Sequence, residues 1–508
     1  HDWGWRVIGN ALLDLGEEGA DALRQIRDDG KDPRLADLAW RVVDLTQRMN
    51  TFSEVTPEQN ETAMSRRPSS VPDASSDIHV HPTDGDDVND GRSRPVKTIA
   101  RAMKLAQAGD TIHLTPGTYY ESADFTNKHG LPGKPITLDG HGAVLEGSEP
   151  ITSAEWELVS PDLYRRQKVY PTTDDAIVSR WFLLWDGKIQ WMGRCSKGPS
   201  EPLKLPADLQ PGEWTFVRDE EAFYLKLAPG QDLDAAKIRY PKRSSAVVQS
   251  QSGSWLTIKN ITCTHVYNDG FNVHGAQRNL VYENIAAIEC GDDGFSAHED
   301  VDCHIDGFTS IGNATGLCDT GTSQTHYKNV FIKDCHGFDL YFIGRKHSVE
   351  NALIESSAAR TFWVDGNLLK EGQRCEVTLK NVLIRRVGRE PQELRIGRGG
   401  FLLAERCTFE GINVMLTPSG AVDFRHCWFR GNEAKPEALI FPNAIWQGTG
   451  NSYDFKSLRV AQTSFTRETF ADFQKLTGSE TDSRWETIDT VPATIGADET
   501  SLPKQKTP

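Results

Sequence analysis

WLTIKNITC, at residues 255–263, begins a series of six similar strings that decides the fold of this chain. The other five are NLVYENIAAIEC (279–290), CHIDGFTSIG (303–312), YKNVFIKDC (327–335), VENALIESS (349–357) and VTLKNVLIRR (377–386). An Asn or Asp marks the turn of each string, at steps of 24, 22, 23, 22 and 30 residues: Asn260, Asn284, Asp306, Asn329, Asn351 and Asn381. A period in the low twenties with β-branched strands and a fixed turn residue is typical of a β-solenoid, and the ladder of a leucine-rich repeat is missing. The chain is therefore predicted to be mainly β, with parallel strands stacked in coils.

The composition argues against two classes of partner. The 508 residues include 56 Lys and Arg against 72 Asp and Glu, and the net charge of -16 disfavours nucleic acid and anionic membrane surfaces. The mean hydropathy is -0.50, and we find no run of about 18 apolar residues, the length that a transmembrane helix needs. A polyanionic ligand would need a local basic patch, and the composition says nothing of the oligomeric state.

Periodicity and composition divide the chain into six segments. The start HDWGW, without an initiator Met, favours a processed or truncated piece of a longer precursor. The nine cysteines form no CxxC pair and are expected to be mostly free, buried thiols. The tail from about residue 490 is expected to be disordered. The segments are a helical-repeat-like α-helical segment (1–67), a linker (68–76), the cap and first coils of the solenoid (77–151), an inserted antiparallel β domain (152–242), the coils with the candidate site (243–465), and a C-terminal helix and tail (466–508).

A second set of strings predicts which side chains point out of the coils. DGFNVH (269–274), DGFSAH (293–298), TGLCDT (315–320) and HGFDLY (336–341) align at the same spacing. Their third residues are expected to stack inside the coil: Phe271, Phe295, Leu317 and Phe338. Because side chains alternate along a strand, the fourth and sixth residues are expected to point outward. These outward columns are Asn272, Ser296, Cys318 and Asp339, and His274, His298, Thr320 and Tyr341.

Three carboxylates lie at the bend that enters this face: Asp269, Asp292 and Asp293. A solenoid needs apolar residues inside it, but it does not need acidic groups and histidines crowded outside, where like charges repel. The cluster is therefore interpreted as functional, against the alternative of ordinary turn-forming Asp and solvated His residues. The candidate substrate-binding residues around it are His274, His298, Glu299, Tyr341, Arg345, Lys346 and His347.

The start of the solenoid carries further motifs. A short strand and an acidic, Gly-rich turn precede a helix that ends in GDTI (109–112), followed by PGTY (116–119) and PIT (135–137). This arrangement resembles the N-terminal cap of pectate-lyase-like β-helix enzymes, particularly of family 9 pectate lyases. The resemblance implies a right-handed parallel β-helix and an extracellular or periplasmic location. The helix would cover the open end of the first coil, where unpaired backbone groups invite edge pairing.

The Asp trio resembles the calcium ligands of family 9 pectate lyases. In that family an Asp on one coil and an Asp-Asp-Gly-Phe-Asp string on the next bind Ca²⁺, and a later Lys removes the proton. Asp269, Asp292 and Asp293 match three of the ligands. Ser296 stands in place of the fourth ligand and Asp339 in place of the Lys. A surface carboxylate is a poor base for β-elimination, so lyase activity of the familiar kind is disfavoured.

The same trio is similar to the catalytic residues of family 28 polygalacturonases. There an Asp on one coil and an Asp-Asp pair on the next hydrolyse the glycosidic bond with inversion. In this chain Thr315 stands where that family has a His. Hydrolysis requires one protonated and one ionised carboxyl group and no metal.

These comparisons favour a glycoside hydrolase that acts on a polysaccharide or oligosaccharide, with an acidic substrate left open. The acid would be Asp292 or Asp293, and the base would be Asp269 or Asp339. No cofactor would be required. The alternatives are a Ca²⁺-dependent polysaccharide lyase or uronate epimerase, which alone would use the trio as metal ligands, and a non-catalytic carbohydrate-binding solenoid.

Overall fold

The computed structural model describes residues 77–170, 175–191, 203–370, 372–387, 392–430, 437–486 and 494–504, together with Gln25 in a helix. Residues 67–508 form one compact unit. The predicted α-helical segment at 1–67 and the linker at 68–76 lie outside the described residues, apart from Gln25. The predicted fold class is confirmed, because about 13 turns of parallel β-solenoid carry small antiparallel sheets and a few helices.

Two long sheets run along the solenoid, and strands of successive coils pair in parallel within each of them. In the described part of the chain, the first sheet has 17 strands: Asp77–Val80, Thr111–Leu114, Thr118–Tyr119, Ile136–Glu146, Ser252–Thr264, Ala276–Ile288, Asp300–Ile311, Gln324–Lys333, Lys346–Ser356, Cys375–Arg386, Gly400–Glu405, Thr408–Glu410, Ala421–Arg425, Trp428–Arg430, Ile445–Thr449, Ser452–Asp454 and Arg484–Trp485. The second sheet has 12 described strands, of which the last two pair antiparallel: Ala123–Asp124, Val247–Gln249, Phe271–Val273, Asp293–Ala297, Thr315–Asp319, Phe338–Phe342, Arg360–Val364, Gln392–Ile396, Ile412–Leu416, Glu437–Ile440, Ser457–Val460 and Thr463–Phe465. The candidate site lies on the second sheet.

Apolar side chains fill the inside of the coils. The rings of Phe271 and Phe295 stack with centroids 5.9 Å apart, and Tyr282 meets the Phe295 ring edge-on at 4.9 Å. Buried residues from Ile78 to Trp485 belong to one hydrophobic cluster. This continuity follows from the repeat, because each coil covers the apolar surface of the coil before it.

An asparagine ladder follows one turn of the coils. Asn284 Nδ2 donates a hydrogen bond to Asn260 Oδ1 at 2.9 Å, and Asn381 Nδ2 donates to Asn351 Oδ1 at 3.0 Å. The φ angles of these four residues lie between 51° and 59°. Asn adopts this left-handed conformation more readily than most residues, so the recurring Asn serves both the turn and the bond to the next coil.

One predicted turn residue was wrong by one position. The strand pairs Asp306 opposite Lys328 and Phe308 opposite Val330, which places Gly307 at the ladder position of its coil. Gly307 has a φ of 81°, and glycine adopts positive φ angles without steric cost. The conformation of the turn selects the glycine, and the Asp306 side chain still joins the ladder, because Asn329 Nδ2 donates to Asp306 Oδ1 at 2.6 Å.

Substitutions of Asn351 separate the two roles of the ladder. Asn351→Gly is expected to lower the free energy of unfolding by about 1–2 kcal/mol, because it removes hydrogen bonds and keeps the backbone free to adopt positive φ. Asn351→Ala is expected to cost about 1 kcal/mol more, because Ala strains a φ of 59°. Urea unfolding of both variants measures the difference. Equal destabilisation by the Gly and Ala variants would show that the positive φ angle of residue 351 does not affect the free energy of unfolding.

The insertion consists of two antiparallel four-stranded sheets. One sheet contains Ser148–Pro150, Phe182–Trp185, Lys188–Trp191 and Arg239–Pro241. The other contains Glu157–Ser160, Leu163–Gln167, Trp214–Val217 and Ala222–Lys226. Its own core packs Trp181 against Phe223, with ring centroids 3.9 Å apart. This core explains the Trp-rich composition, and a helix, Asp175–Arg180, lies between the strands in sequence.

Two short helices cover the ends of the solenoid. The cap helix Ile99–Leu105 begins after Thr98, whose side chain accepts the Arg101 N–H, and the helix Phe470–Thr477 buries Phe470 and Phe473. The remaining described helices are short 3₁₀ turns at Pro206–Asp208, Arg218–Glu220 and Arg467–Thr469. None of the described helices has the length and apolar character to cross a membrane.

The C-terminal tail is more ordered than the sequence suggested. Residues 494–504 lie against the coils, where the Asp498 N–H donates to Asn381 Oδ1 at 2.7 Å. The Ala497 N–H donates to Thr408 Oγ1 at 2.9 Å. The prediction of disorder from about residue 490 is therefore wrong for this stretch, because backbone groups of the tail find partners on the solenoid surface.

Candidate functional site

Three carboxylates meet where the chain bends into the second sheet. Asp269 precedes the strand Phe271–Val273, and Asp292 and Asp293 lie at the start of the strand Asp293–Ala297. One oxygen atom of each carboxylate lies within 4.8 Å of the others. The three residues are 3%, 2% and 1% exposed. The cluster that the sequence predicted is therefore assembled, but it is nearly covered.

Hydrogen bonds hold the Asp269 carboxylate in place. Asn272 Nδ2 donates to Oδ2 at 2.7 Å, and Asn268 Nδ2 donates to the same oxygen at 3.3 Å. The backbone N–H of Asp293 donates to Oδ1 at 3.1 Å. Donors from both coils thus fix this side chain and stabilise negative charge on it.

The insertion supplies a cation to the cluster. Arg180, the last residue of the helix Asp175–Arg180, places Nη2 2.7 Å from Asp292 Oδ2 and donates from Nη1 to Asn268 Oδ1 at 2.6 Å. At Gly291, an added Cβ would lie 2.3 Å from the Arg180 carbonyl oxygen, so this packing requires glycine. Sequence reasoning missed Arg180, because no local pattern marks a contact between such distant parts of the chain.

Two histidines and a cysteine extend the site along the outward face. The sheet places Asn272 opposite Ser296 and Ser296 opposite Cys318, as predicted. His298 Nε2 lies 2.9 Å from Ser296 Oγ and 3.7 Å from Cys318 Sγ. The ring centroids of His274 and His298 are 4.5 Å apart. These side chains line one continuous surface next to Asp293.

Charged residues surround the exit of this face. Glu299 Oε1 lies 3.8 Å from His274 Nδ1, and the two side chains are 17% and 28% exposed. Arg345 and Lys346 are exposed at the corresponding corner two coils further on. All four residues are accessible to a ligand that lies along the second sheet, and their predicted contacts with substrate stay predictions.

The predicted register is wrong in the fourth string. Leu340, not Phe338, lies opposite Leu317 in the internal column. Asp339 therefore does not belong to the outward column, and it is 0% exposed. A carboxylate enclosed in the coil cannot contact a substrate on the outer face, which removes the basis for assigning Asp339 as the catalytic base.

Asp339 instead points into the coil. It lies opposite Gly316, where an added Cβ would meet the buried Ile332 side chain at 2.9 Å. Its Oδ2 accepts a hydrogen bond from Ser356 Oγ. Burial raises the pKa of Asp339 to about 7, although the Ser356 hydrogen bond and the charge of Arg386 act in the opposite direction. Asp339 is a buried titratable group of the core.

His347 also lies inside the coil, so the prediction that it binds substrate is wrong. Its ring stacks on Phe342 at 4.8 Å, and its Nδ1 lies 3.2 Å from Asp319 Oδ2. Thr325 Oγ1 and Tyr327 OH donate to the same carboxylate at 2.6 and 2.9 Å. All members of this network are buried, and buried polar groups need such partners.

An aromatic and basic strip continues the outward face beyond the predicted residues. Tyr341 lies between Cys318 and Trp363 in the outward column. The Arg395 guanidinium carbon lies 4.3 Å from the Trp363 ring centroid, and that of Arg360 lies 5.6 Å from it. Tyr341 was predicted, whereas Trp363, Arg360 and Arg395 were missed. Extending the repeat by two coils would have revealed them.

Comparisons with solved structures concern the fold of the chain. Among solved structures, XylC in complex with xylose superimposes with a TM-score of 0.52 at 13% sequence identity, covering 82% of this chain and 87% of that one. The chain shares the fold of XylC. A lacto-N-biosidase from Eubacterium ramulus gives a TM-score of 0.36 at 12% identity over 90% of this chain and 74% of that one. A rhamnogalacturonan lyase gives 0.31 at 13% identity over 74% and 87%. The comparisons thus establish a shared β-solenoid fold.

The sequence matches cover short parts of the chain. Residues 83–127 match a family described as a protein of unknown function, DUF1565. An uncharacterized protein, YwoF of Bacillus subtilis strain 168, is 37% identical over 84 residues. That alignment covers 16% of this chain and 17% of the length of YwoF. Both matches concern proteins without a stated activity.

The calcium site implied by the lyase resemblance does not fit these contacts. Ca²⁺ takes about six to eight oxygen ligands. Asp292 is already ion-paired with Arg180, and both Asp269 oxygens accept hydrogen bonds from nitrogen donors. At the position of the fourth ligand, Ser296 is 0% exposed and contacts His298.

Proposed function

We propose that this protein hydrolyses glycosidic bonds of a polysaccharide or oligosaccharide at the Asp269, Asp292 and Asp293 cluster. The observation that carries the proposal is the meeting of three carboxylates from two coils within 4.8 Å, beside a long outward face. Crowded carboxylates share protons unequally, and this is how one acid and one base arise in a single site.

The contacts of the three carboxylates support one assignment of roles. Asp292 is paired with Arg180 and therefore stays ionised. Asp269 accepts three hydrogen bonds, which also stabilise its charge. In a crowded set of carboxylates one group holds a proton, and we assign Asp293 as the group that donates it to the leaving oxygen. Asp269 is then the second catalytic carboxylate, since Asp339 is enclosed in the coil.

The spacing favours a retaining reaction over the inverting one of the family 28 pattern. Inverting pairs are about 6.5–9.5 Å apart and retaining pairs about 5–5.5 Å apart. One oxygen of Asp269 and one oxygen of Asp293 lie within 4.8 Å of each other, which is closer to the spacing of a retaining pair. Asp269 would attack the anomeric carbon while Asp293 protonates the leaving oxygen. Water would then release the sugar from the ester, with Asp293 accepting the proton.

The outward strip suggests where the rest of the substrate binds. Sugar rings stack on exposed aromatic faces, and Trp363 and Tyr341 are half-buried on this strip. Arg360 and Arg395 beside Trp363 favour sugars that carry acidic groups.

Product analysis tests the proposal. The protein is incubated with neutral, uronic and sulfated polysaccharides, with and without chelator, and with methanol as a second acceptor. We expect fragments that have gained water, methyl glycosides of retained configuration in methanol, and a yield that chelator does not lower. Unsaturated fragments would indicate elimination, and binding without any product would indicate a carbohydrate-binding solenoid. Either result would overturn the proposed function.

A further inference from the structure

Cys318 differs from the other described cysteines in its surroundings. Seven of the eight described free cysteines belong to the hydrophobic core inside the coils: Cys263, Cys290, Cys303, Cys335, Cys375, Cys407 and Cys427. Cys318 lies in the outward column, opposite Ser296 and Tyr341. The seven core cysteines are therefore explained as buried apolar side chains. This explanation does not apply to Cys318, whose thiol lies on the polar face.

Cys318 has two neighbours that bind metals. One ligand atom each of Asp293, His298 and Cys318 lies within 4.8 Å of the others. The His298 Nε2 to Cys318 Sγ distance is 3.7 Å. In a tetrahedral zinc site, with Zn–N of about 2.0–2.1 Å and Zn–S of about 2.3 Å, these two atoms would be about 3.6 Å apart. The nitrogen and sulfur are thus already spaced for one shared ion.

We propose that Asp293, His298 and Cys318 bind a divalent transition metal ion of the zinc type. A thiolate, an imidazole and a carboxylate together favour such ions over Ca²⁺ and Mg²⁺, which prefer oxygen ligands. Three protein ligands leave a fourth position open. Ser296, whose hydroxyl lies 2.9 Å from His298 Nε2, is displaced from that nitrogen when the metal binds.

The backbone prepares this site before any ion arrives. Ser296 and Cys318 face each other across parallel strands, and Asp293 lies opposite Thr315 in the same pair of coils. Asp293 and Cys318 are 1% and 2% exposed. Little conformational entropy is lost on binding, because these side chains are already confined.

The metal site and the proposed hydrolysis share Asp293. A bound metal ion would occupy this carboxylate and prevent it from carrying the proton, so the metal-loaded protein is expected not to hydrolyse substrate. This last expectation rests on the proposed function. The metal site itself rests only on the positions of the three ligands, so it is tested by binding and not by turnover.

Cobalt titration of the full chain tests the proposal. Metal-free protein is titrated with Co²⁺, and the near-ultraviolet cobalt–thiolate charge-transfer absorption is recorded, followed by displacement with Zn²⁺. We expect one equivalent to give the thiolate band. Cys318→Ser should abolish the band, and His298→Gln should weaken binding by at least about 100-fold, more than the loss of an outer-shell partner.

Two variants serve as controls. His274→Gln removes the neighbouring imidazole and should leave the thiolate band unchanged. His113→Gln disrupts a second group, His113, Asp139 and His141, whose ligand atoms also lie within 4.8 Å of one another, and it should likewise leave the band unchanged. A missing band in the unmodified protein, or a band that survives Cys318→Ser, overturns the metal site. A protein that binds the metal but hydrolyses no substrate in its metal-free form would overturn only the proposed function.

Discussion

Replacing Asp293 with asparagine is expected to lower kcat/KM for the polysaccharide that the protein cleaves by about 10²–10⁴-fold, the contribution of a general acid. Asparagine has nearly the same shape and keeps the backbone N–H that donates to Asp269 Oδ1. The substitution therefore removes the transferable proton with little change in the arrangement of the cluster. Initial rates of reducing-end release measure the effect.

Asp302→Asn is the matched control for this experiment. Asp302 lies on the same coil but in the first sheet, opposite Gln324 and away from the carboxylate cluster. Its substitution should leave kcat/KM within about twofold of the unmodified protein, since surface changes of this kind are usually mild. If Asp293→Asn retained full activity on a substrate that Asp269→Asn does not cleave, the assignment of Asp293 as the acid would be wrong.

Replacing Asp339 with asparagine is expected to stabilise the protein at neutral and alkaline pH. The folded-state pKa of Asp339 is about 7, well above the value of about 3.9 for an unfolded chain. Between these values the folded state binds more protons than the unfolded state, so stability falls as the pH rises from about 4 to 7. The total loss from this group is about 4 kcal/mol, and the Asp339→Asn variant would not suffer it because an amide does not ionise.

Denaturant unfolding at a series of pH values checks this prediction. The variant and the unmodified protein should be about equally stable at pH 4, and the variant should gain most of the difference by pH 8. Asp306→Asn is the control, because Asp306 is exposed and the amide oxygen of the variant can still accept the hydrogen bond from Asn329. A pH dependence that is the same for Asp339→Asn and the unmodified protein would show that Asp339 does not titrate in the folded state.

The sequence predicted the solenoid. It also predicted the inward and outward columns correctly in the first three strings of the outward face, because the repeat is regular there. It failed at Asp339, where similarity between Gly-Phe strings placed Phe338 in the internal column. The buried Cys290 and Cys335 give the correct register, because Phe295 and Leu340 each follow five residues after one of them. The Gly-Phe pair begins four residues after Cys290 but only two residues after Cys335. The positions of buried residues in the core therefore define the register more reliably than the Gly-Phe strings.

The remaining differences have different physical origins. His347 precedes the buried Val349 by two residues, so strict strand alternation would have placed it inside the coil. Its identity as a histidine suggested the surface instead. The contact between Arg180 and Asp292 could not be predicted for a different reason. It joins the insertion to the solenoid, and no periodic pattern in the sequence encodes how these two parts pack. Local sequence patterns predict the coils, whereas the packing of the insertion on the solenoid depends on the whole fold.

The way the insertion is attached has a consequence for how such a protein can diversify. Its first and last strands, Ser148–Pro150 and Arg239–Pro241, pair with each other, so the chain leaves and re-enters the solenoid at one place. An exchange of everything between these strands would not alter the spacing of the coils. The carboxylates belong to the regularly spaced scaffold, and Arg180 belongs to the exchangeable part. Ligand preference can therefore change through a single surface module while the reactive groups keep their positions.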